Sequence, residues 1–123
     1  MDIERKAELI NSLVDEVHQN NAKWWTDLHT GLPTTRNVGE LLCLVHSEIS
    51  EAMEGHRKSL MDNHLPHRQM LEVELADAVI RIFDLAGGLG LDLGGAYAEK
   101  LEYNITRKDH QREARLGKNG KKY

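Results

Sequence analysis

Two stretches of helical periodicity constrain this chain more than any other feature, because each carries a pair of carboxylates on the flank of its apolar stripe. In the first, Leu41, Leu42, Val45, Ile49, Ala52 and Met53 recur mostly at steps of three and four. Leu71, Leu75, Ala78, Val79, Ile82, Phe83 and Ala86 repeat the pattern in the second. The acids are Glu48 with Glu51 and Glu74 with Asp77. Residues three apart lie about one turn from each other on one helix face, near enough to share an ion. The same spacing occurs on solvated helix surfaces, so position around the helix is what separates the two readings. At about 100° per residue, both pairs fall to the same side of their stripes and not opposite them. Acids in that position border a groove between helices, whereas purely solubilising charges lie diametrically away. Two antiparallel helices built this way can direct four carboxylates into one volume, whose natural tenant is a hard divalent cation.

The rest of the chain is also helical in pattern. Ile3, Ala7, Ile10, Val14 and Val17, with Asp2 as N-cap, predict a first helix from residue 3 to about 24, with Trp24 in its core phase. Thr26 to Asn37, containing Gly31 and Pro33, reads as a loop. The second helix runs from Val38 to about Asp62-Asn63, and Pro66 suits the first turn of the third. Gly87-Gly88-Leu89-Gly90 stops that helix, and Asp92 caps a fourth from about Leu93 to the region of Arg107. An all-α, four-helix fold is expected. A chain of 123 residues is long enough for one core, so residues 1–112 are expected to form one domain, followed by a basic, flexible tail at 113–123. Residues 105–123 hold seven of the 16 Lys and Arg and two of the 20 acids, a net of +5 against −9 for the remainder.

Several chemistries are excluded. The one cysteine, Cys43, stands among Leu41, Leu42, Leu44 and Val45, which predicts a buried reduced thiol and neither a disulfide nor a nucleophile. His46 is expected to be hydrogen-bonded near the core, with no catalytic role. No His-x-x-x-His pair supports a zinc hydrolase, and no Glu-x-x-His step supports a di-iron bundle. The glycines between 87 and 95 match neither a dinucleotide nor a Walker loop. Carboxylates without histidine select Mg²⁺, with Mn²⁺ as a substitute. A body of −9 opposes a long polyanion, so no nucleic acid is expected as a partner. No signal region opens the chain and no apolar run reaches membrane-spanning length, so a cytoplasmic protein without a membrane partner is expected.

With these residues in view, the chain resembles the MazG-like nucleoside triphosphate pyrophosphohydrolases of the all-α NTP pyrophosphatase superfamily. The resemblance rests on Glu-x-x-Glu, a spacer of 22 residues and Glu-x-x-Asp, with Leu44-Val-His-Ser-Glu-Ile-Ser-Glu-Ala-Met-Glu54 around the first tetrad. A third block, Lys100-Leu-Glu-Tyr-Asn104-Ile-Thr-Arg107, is similar to the family's Lys-x-x-x-Asn-x-x-Arg segment. Together the blocks span most of residues 38 to 110. The resemblance implies a four-helix MazG-like bundle completed by homo-oligomerisation into dimers or tetramers. It also implies Mg²⁺-dependent cleavage of a nucleoside or deoxynucleoside triphosphate between the α and β phosphates, giving the monophosphate and pyrophosphate.

On that reading Glu48, Glu51, Glu74 and Asp77 are the metal ligands, and Glu51 also accepts the proton of the attacking water. Lys100, Asn104 and Arg107, three to four apart on the fourth helix, supply donors to phosphate. Trp24 is assigned to the core and Trp25 to stacking on the base. Arg81, one turn after Asp77, pairs either with the acids or with phosphate. A close enzymatic relative is the phosphoribosyl-ATP pyrophosphohydrolase of histidine synthesis. The alternative from another class is a non-catalytic helical oligomerisation or regulatory module that binds a nucleotide or a partner protein.

Overall fold

The computed structural model describes residues 1–107 and 111–123, and among these every regular element is helical. Residues 108–110, inside the span 1–112 expected as one domain, lie outside the described residues. The elements are α1 (Ile3–Asn20), a 3-10 turn (Ala22–Trp25), α2 (Val38–Arg57), α3 (Met70–Leu89), α4 (Leu93–Thr106) and α5 (Arg112–Leu116). No helix among the described residues is long and apolar enough to cross a membrane. The chain divides into two compact units, one of residues 13–91 and the other of residues 1–12 with 92–123.

The larger unit is organised by α2 and α3, which pack antiparallel: Gly55, late in α2, meets Met70 at the start of α3, while Glu48 meets Arg81 further along. Small side chains let the backbones approach. Ala52 and Ala78 are each only 3% exposed, and a Cβ on Gly55 would lie 2.7 Å from both Cβ and Cγ of Met70. Their other faces are open, exposing Leu42, Ile49 and Met53 on α2 and Leu75, Val79 and Ile82 on α3.

Three boundaries differ from those expected, each for a local reason. α1 ends at Asn20, four residues early, because Asn21 turns the chain: its backbone N–H reaches both Val17 and His18 carbonyls, and its side chain donates to Val17 O at 3.0 Å. α2 stops at Arg57 because Ser59 adopts a left-handed φ of 53°. Leu60 N–H then bonds to Gly55 O and Ser59 N–H to His56 O, the paired bonds of a Schellman cap. α3 begins at Met70, after Pro66, where Glu72 Oε1 reaches back to accept the Gln69 N–H at 3.2 Å. The glycine stop occurs as expected, with Gly90 left-handed at φ 67° and the same pair of cap bonds from Leu91 and Gly90.

In the smaller unit Asp2 and Asp92 cap α1 and α4 as expected, accepting from Arg5 N at 2.7 Å and Gly95 N at 2.9 Å. Asn11 ties the two together, donating to Asp92 Oδ1 at 2.8 Å and accepting from Gly94 N at 2.8 Å. The basic tail holds a short turn of helix, with Arg115 donating to the carbonyls of Lys121 and Lys122.

Two positions of the α2 cap give opposite expectations for glycine. Ser59→Gly should stabilise the protein by about 1 kcal/mol, since glycine takes the left-handed conformation without steric cost. Gly55→Ala should destabilise it by about 1–3 kcal/mol through overpacking against Met70. Urea unfolding of the two variants beside the parent chain measures both.

Candidate functional site

The buried faces of α2 and α3 bring three of the four expected carboxylates together. One oxygen from each of Glu48, Glu74 and Asp77 lies within 4.8 Å of the others. Glu48 and Glu74 are each 8% exposed, and Asp77 is half-buried. Glu51, one turn along α2 from Glu48, is exposed at the edge of the group and acts on Glu74 by side-chain hydrogen bonding and by charge. Arg81 Nε donates to Glu48 Oε1 at 2.8 Å, which makes the acid-pairing role of Arg81 the one seen. Glu74 Oε2 is buried with no hydrogen-bond partner.

The electrostatics follow from this crowding. Burial first, then hydrogen bonds and charge from Glu48 and Glu51, push Glu74 up to about 8. Asp77 is also raised, by burial and then by the charge of Glu48. Burial raises Glu48 too, but hydrogen bonds from Glu74 and Arg81 and the charge of Arg81 outweigh it and hold this carboxyl below its ordinary value. In neutral solution without metal the cluster therefore keeps a proton on Glu74.

Oxygen ligands opposite one another on a cation are about 4.2 Å apart for Mg²⁺ and about 4.8 Å apart for Ca²⁺, twice their usual bond lengths. Only one pair among three ligands can stand opposite, so with separations of up to 4.8 Å the side chains would move inward to close on either ion. The all-oxygen donor set and the unpartnered Glu74 oxygen both suit such an ion.

Glu48, Asp77 and Arg81 also form part of the wall of a cavity of about 500 Å³, whose other polar members include Arg36 and Asp84. Leu41, Leu44, Ile80 and Leu85 supply its apolar lining, and Trp24 stands at it as well. The packing of the two tryptophans is the reverse of that expected. Trp24 is 60% exposed, because α1 has ended before it and the 3-10 turn rotates it out of the apolar phase. Trp25 is half-buried: its Nε1 donates to both oxygens of Asp84 at 3.1 Å, and a Cβ on Gly88 would come within 2.3 Å of its ring. The His18 ring meets Trp25 edge-on at 5.5 Å, and the Arg36 guanidinium lies 5.6 Å from the Trp25 ring centre. The ring expected to stack on a base is therefore engaged on several sides, and the one at the cavity is Trp24.

Lys100, Asn104 and Arg107 belong to the other unit. Lys100 is exposed, with Nζ 4.7 Å from the Tyr103 ring centre. Arg107, expected on the face of the fourth helix, sits one residue beyond its end in extended conformation, with its guanidinium 5.7 Å from the same ring. Asn104 Oδ1 is buried and unpartnered. Cys43 and His46, expected inside, are exposed. They stand about 200° and 140° around α2 from buried Leu41, away from the face that packs. The sequence reading missed Arg36 and Asp84. Asp84 had a signal, since Asp77, Arg81 and Asp84 follow the four-and-three step of one α3 face; Arg36, in a loop, had none.

Comparison with protein-family models, curated proteins and solved structures finds no match for this chain.

The raised Glu74 fixes the sign of a pH effect. Between the ordinary glutamate value of 4.5 and about 8 the folded chain holds a proton that the unfolded chain has released. Stability should then fall as pH rises across that window, by at most about 1.4 kcal/mol per pH unit for this one group. Asp77 adds in the same direction, and the lowered Glu48 acts only at more acid pH. Urea midpoints in the presence of a chelator should show this decline, and Glu74→Gln should flatten it. A level profile for the parent chain would contradict the burial argument.

Proposed function

We propose that this chain is a MazG-like, Mg²⁺-dependent pyrophosphohydrolase that cleaves a nucleoside or deoxynucleoside triphosphate to the monophosphate and pyrophosphate. One observation carries the reading: Glu74, more than nine-tenths buried and with an unpartnered oxygen, clusters with Glu48 and Asp77, which line a cavity that also bears Arg36 and Arg81. A buried carboxyl oxygen without a partner is costly, and a cation shared with its neighbours would satisfy it. The likeness of the two acidic tetrads and the Lys100 block to the family motifs supports the same conclusion.

When bound, Mg²⁺, or Mn²⁺ in its place, supplies charge to offset the phosphates and lowers the pKa of water. Glu48, Glu74 and Asp77 hold it, and Glu51 at the exposed edge completes the set. Glu51 also accepts the proton of the attacking water, since it is the most exposed of the four. The water oxygen bonds to phosphorus, the bridge between the α and β phosphates breaks, and the bridging oxygen leaves with one of the two products. Arg81 offers a guanidinium fork to phosphate oxygens. Lys100, Asn104 and Arg107 keep the phosphate-donor role that the motif alone implies, and in the cavity Trp24 takes over from Trp25 the stacking on the base. The open apolar faces of α2 and α3 support assembly into a homodimer or homotetramer. The role that fits is cytoplasmic housecleaning or control of the nucleotide pool.

A panel of ribo- and deoxyribonucleoside triphosphates with Mg²⁺ should yield pyrophosphate. Orthophosphate release, or no turnover by micromolar protein, defeats the proposal. Glu51→Gln should slow the reaction by at least about 10²-fold, while Asp77→Asn should raise the Mg²⁺ concentration required. If Mg²⁺ fails to raise the melting temperature as well, the apolar faces would instead mark a non-catalytic oligomerisation module.

Assembly has its own test. A double variant, Ile49→Glu with Val79→Glu, should lower the mass found by light scattering to that of a single chain while keeping the helical circular dichroism. An unchanged mass would place the interface elsewhere.

A further inference from the structure

Asp84 is a carboxylate that the reaction above does not use. It lines the cavity, on the same α3 face as Asp77 and Arg81. Among the described residues two donors hold it: His18 Nδ1 at 2.9 Å from Oδ1, and Trp25 Nε1 at 3.1 Å from both oxygens. A carboxylate has about four acceptor positions. Oδ1 spends two of its own on His18 and Trp25, while Oδ2 takes only the shared Trp25 proton and keeps one position open.

We infer that Asp84 is the specificity-determining residue for the nucleoside half of the substrate, its Oδ2 accepting one N–H or O–H donor from the base or the sugar. The inference rests on the reading of this cavity as a nucleotide site. Charge divides the cavity along α3. Phosphates belong beside Arg81 and the Glu48–Asp77 cluster with its cation, and they are repelled by Asp84. The Asp84 end is left for the uncharged part of the nucleotide. Seven residues of helix place Asp84 about 10 Å along the axis from Asp77, which suits the reach from the α-phosphate to the far edge of the nucleoside. Trp24 at the same cavity supplies a ring face, so that a base stacked there presents its edge or its sugar to a fixed acceptor. The His18 and Trp25 bonds remove the rotational freedom that would blur such a choice.

The test measures kcat/KM for matched substrates that differ by one donor: cytidine against uridine triphosphate, adenosine against inosine triphosphate, and each ribonucleotide against its 2′-deoxy and 3′-deoxy forms. The parent protein should favour the donor-bearing member of at least one pair. Asp84→Asn should cut that preference by about tenfold or more, the scale of a hydrogen bond to a charged group. It should leave the Mg²⁺ dependence of the rate unchanged. A change confined to the amino/keto pairs assigns the donor to the base, and one confined to the deoxy pairs assigns it to the sugar. Asp84→Glu, which keeps the charge but moves the carboxylate, should also lose the preference. Equal rates for all pairs in the parent protein overturn the inference, as does an Asp84→Asn variant that slows every substrate alike. Neither result touches the proposed reaction, which fails only if the parent protein releases no pyrophosphate from any triphosphate.

Discussion

Two carboxylates, Glu48 and Glu74, are buried side by side between α2 and α3, and the rest of the larger unit accommodates that fact. At 4 Å and an effective dielectric of about 20, two like charges repel by about 4 kcal/mol, before any cost of leaving water. The chain answers with a guanidinium on Glu48 and a proton on Glu74. Together these bring the same positive charge as one divalent cation. A cation bound as proposed would displace that proton and compete with Arg81 for Glu48.

Close packing is what puts the carboxylates there. Ala52 of α2 and Ala78 of α3 are each only 3% exposed, and Gly55 seats directly on Met70. The connection between the helices sets their register. Asp62, buried at 7% exposure, accepts from His64 N and Leu65 N at 2.9 and 2.8 Å, while its own N–H bonds to Arg68 O. A bridge between Met61 and Gln69 closes the loop at its base. The 22-residue spacer between the tetrads is therefore the end of one helix, a pinned loop and the beginning of the next. The cavity beside the cluster is bounded by the same two helices and by the segment after α1. That segment carries Trp24 at the surface because Asn21 ends the helix early.

The sequence by itself determined the helical class, the existence of four long helices, the caps at Asp2 and Asp92, the glycine stop at Gly90 and the spacing that puts each acid pair on one helix face. Each of these rests on local spacing, where 3.6 residues per turn or one side chain reaching three residues on decides the outcome. Tertiary structure decided the rest. It left Glu51 exposed while burying Glu48, set Arg81 on Glu48 and not elsewhere, and exchanged the environments of Trp24 and Trp25. It also turned Cys43 and His46 outward and brought His18 and Trp25 to Asp84 across 66 and 59 residues. Periodicity specifies which residues share a face, but burial depends on which part of that face a neighbouring helix covers. That is fixed by contacts between residues far apart in the chain, on which local spacing carries no information.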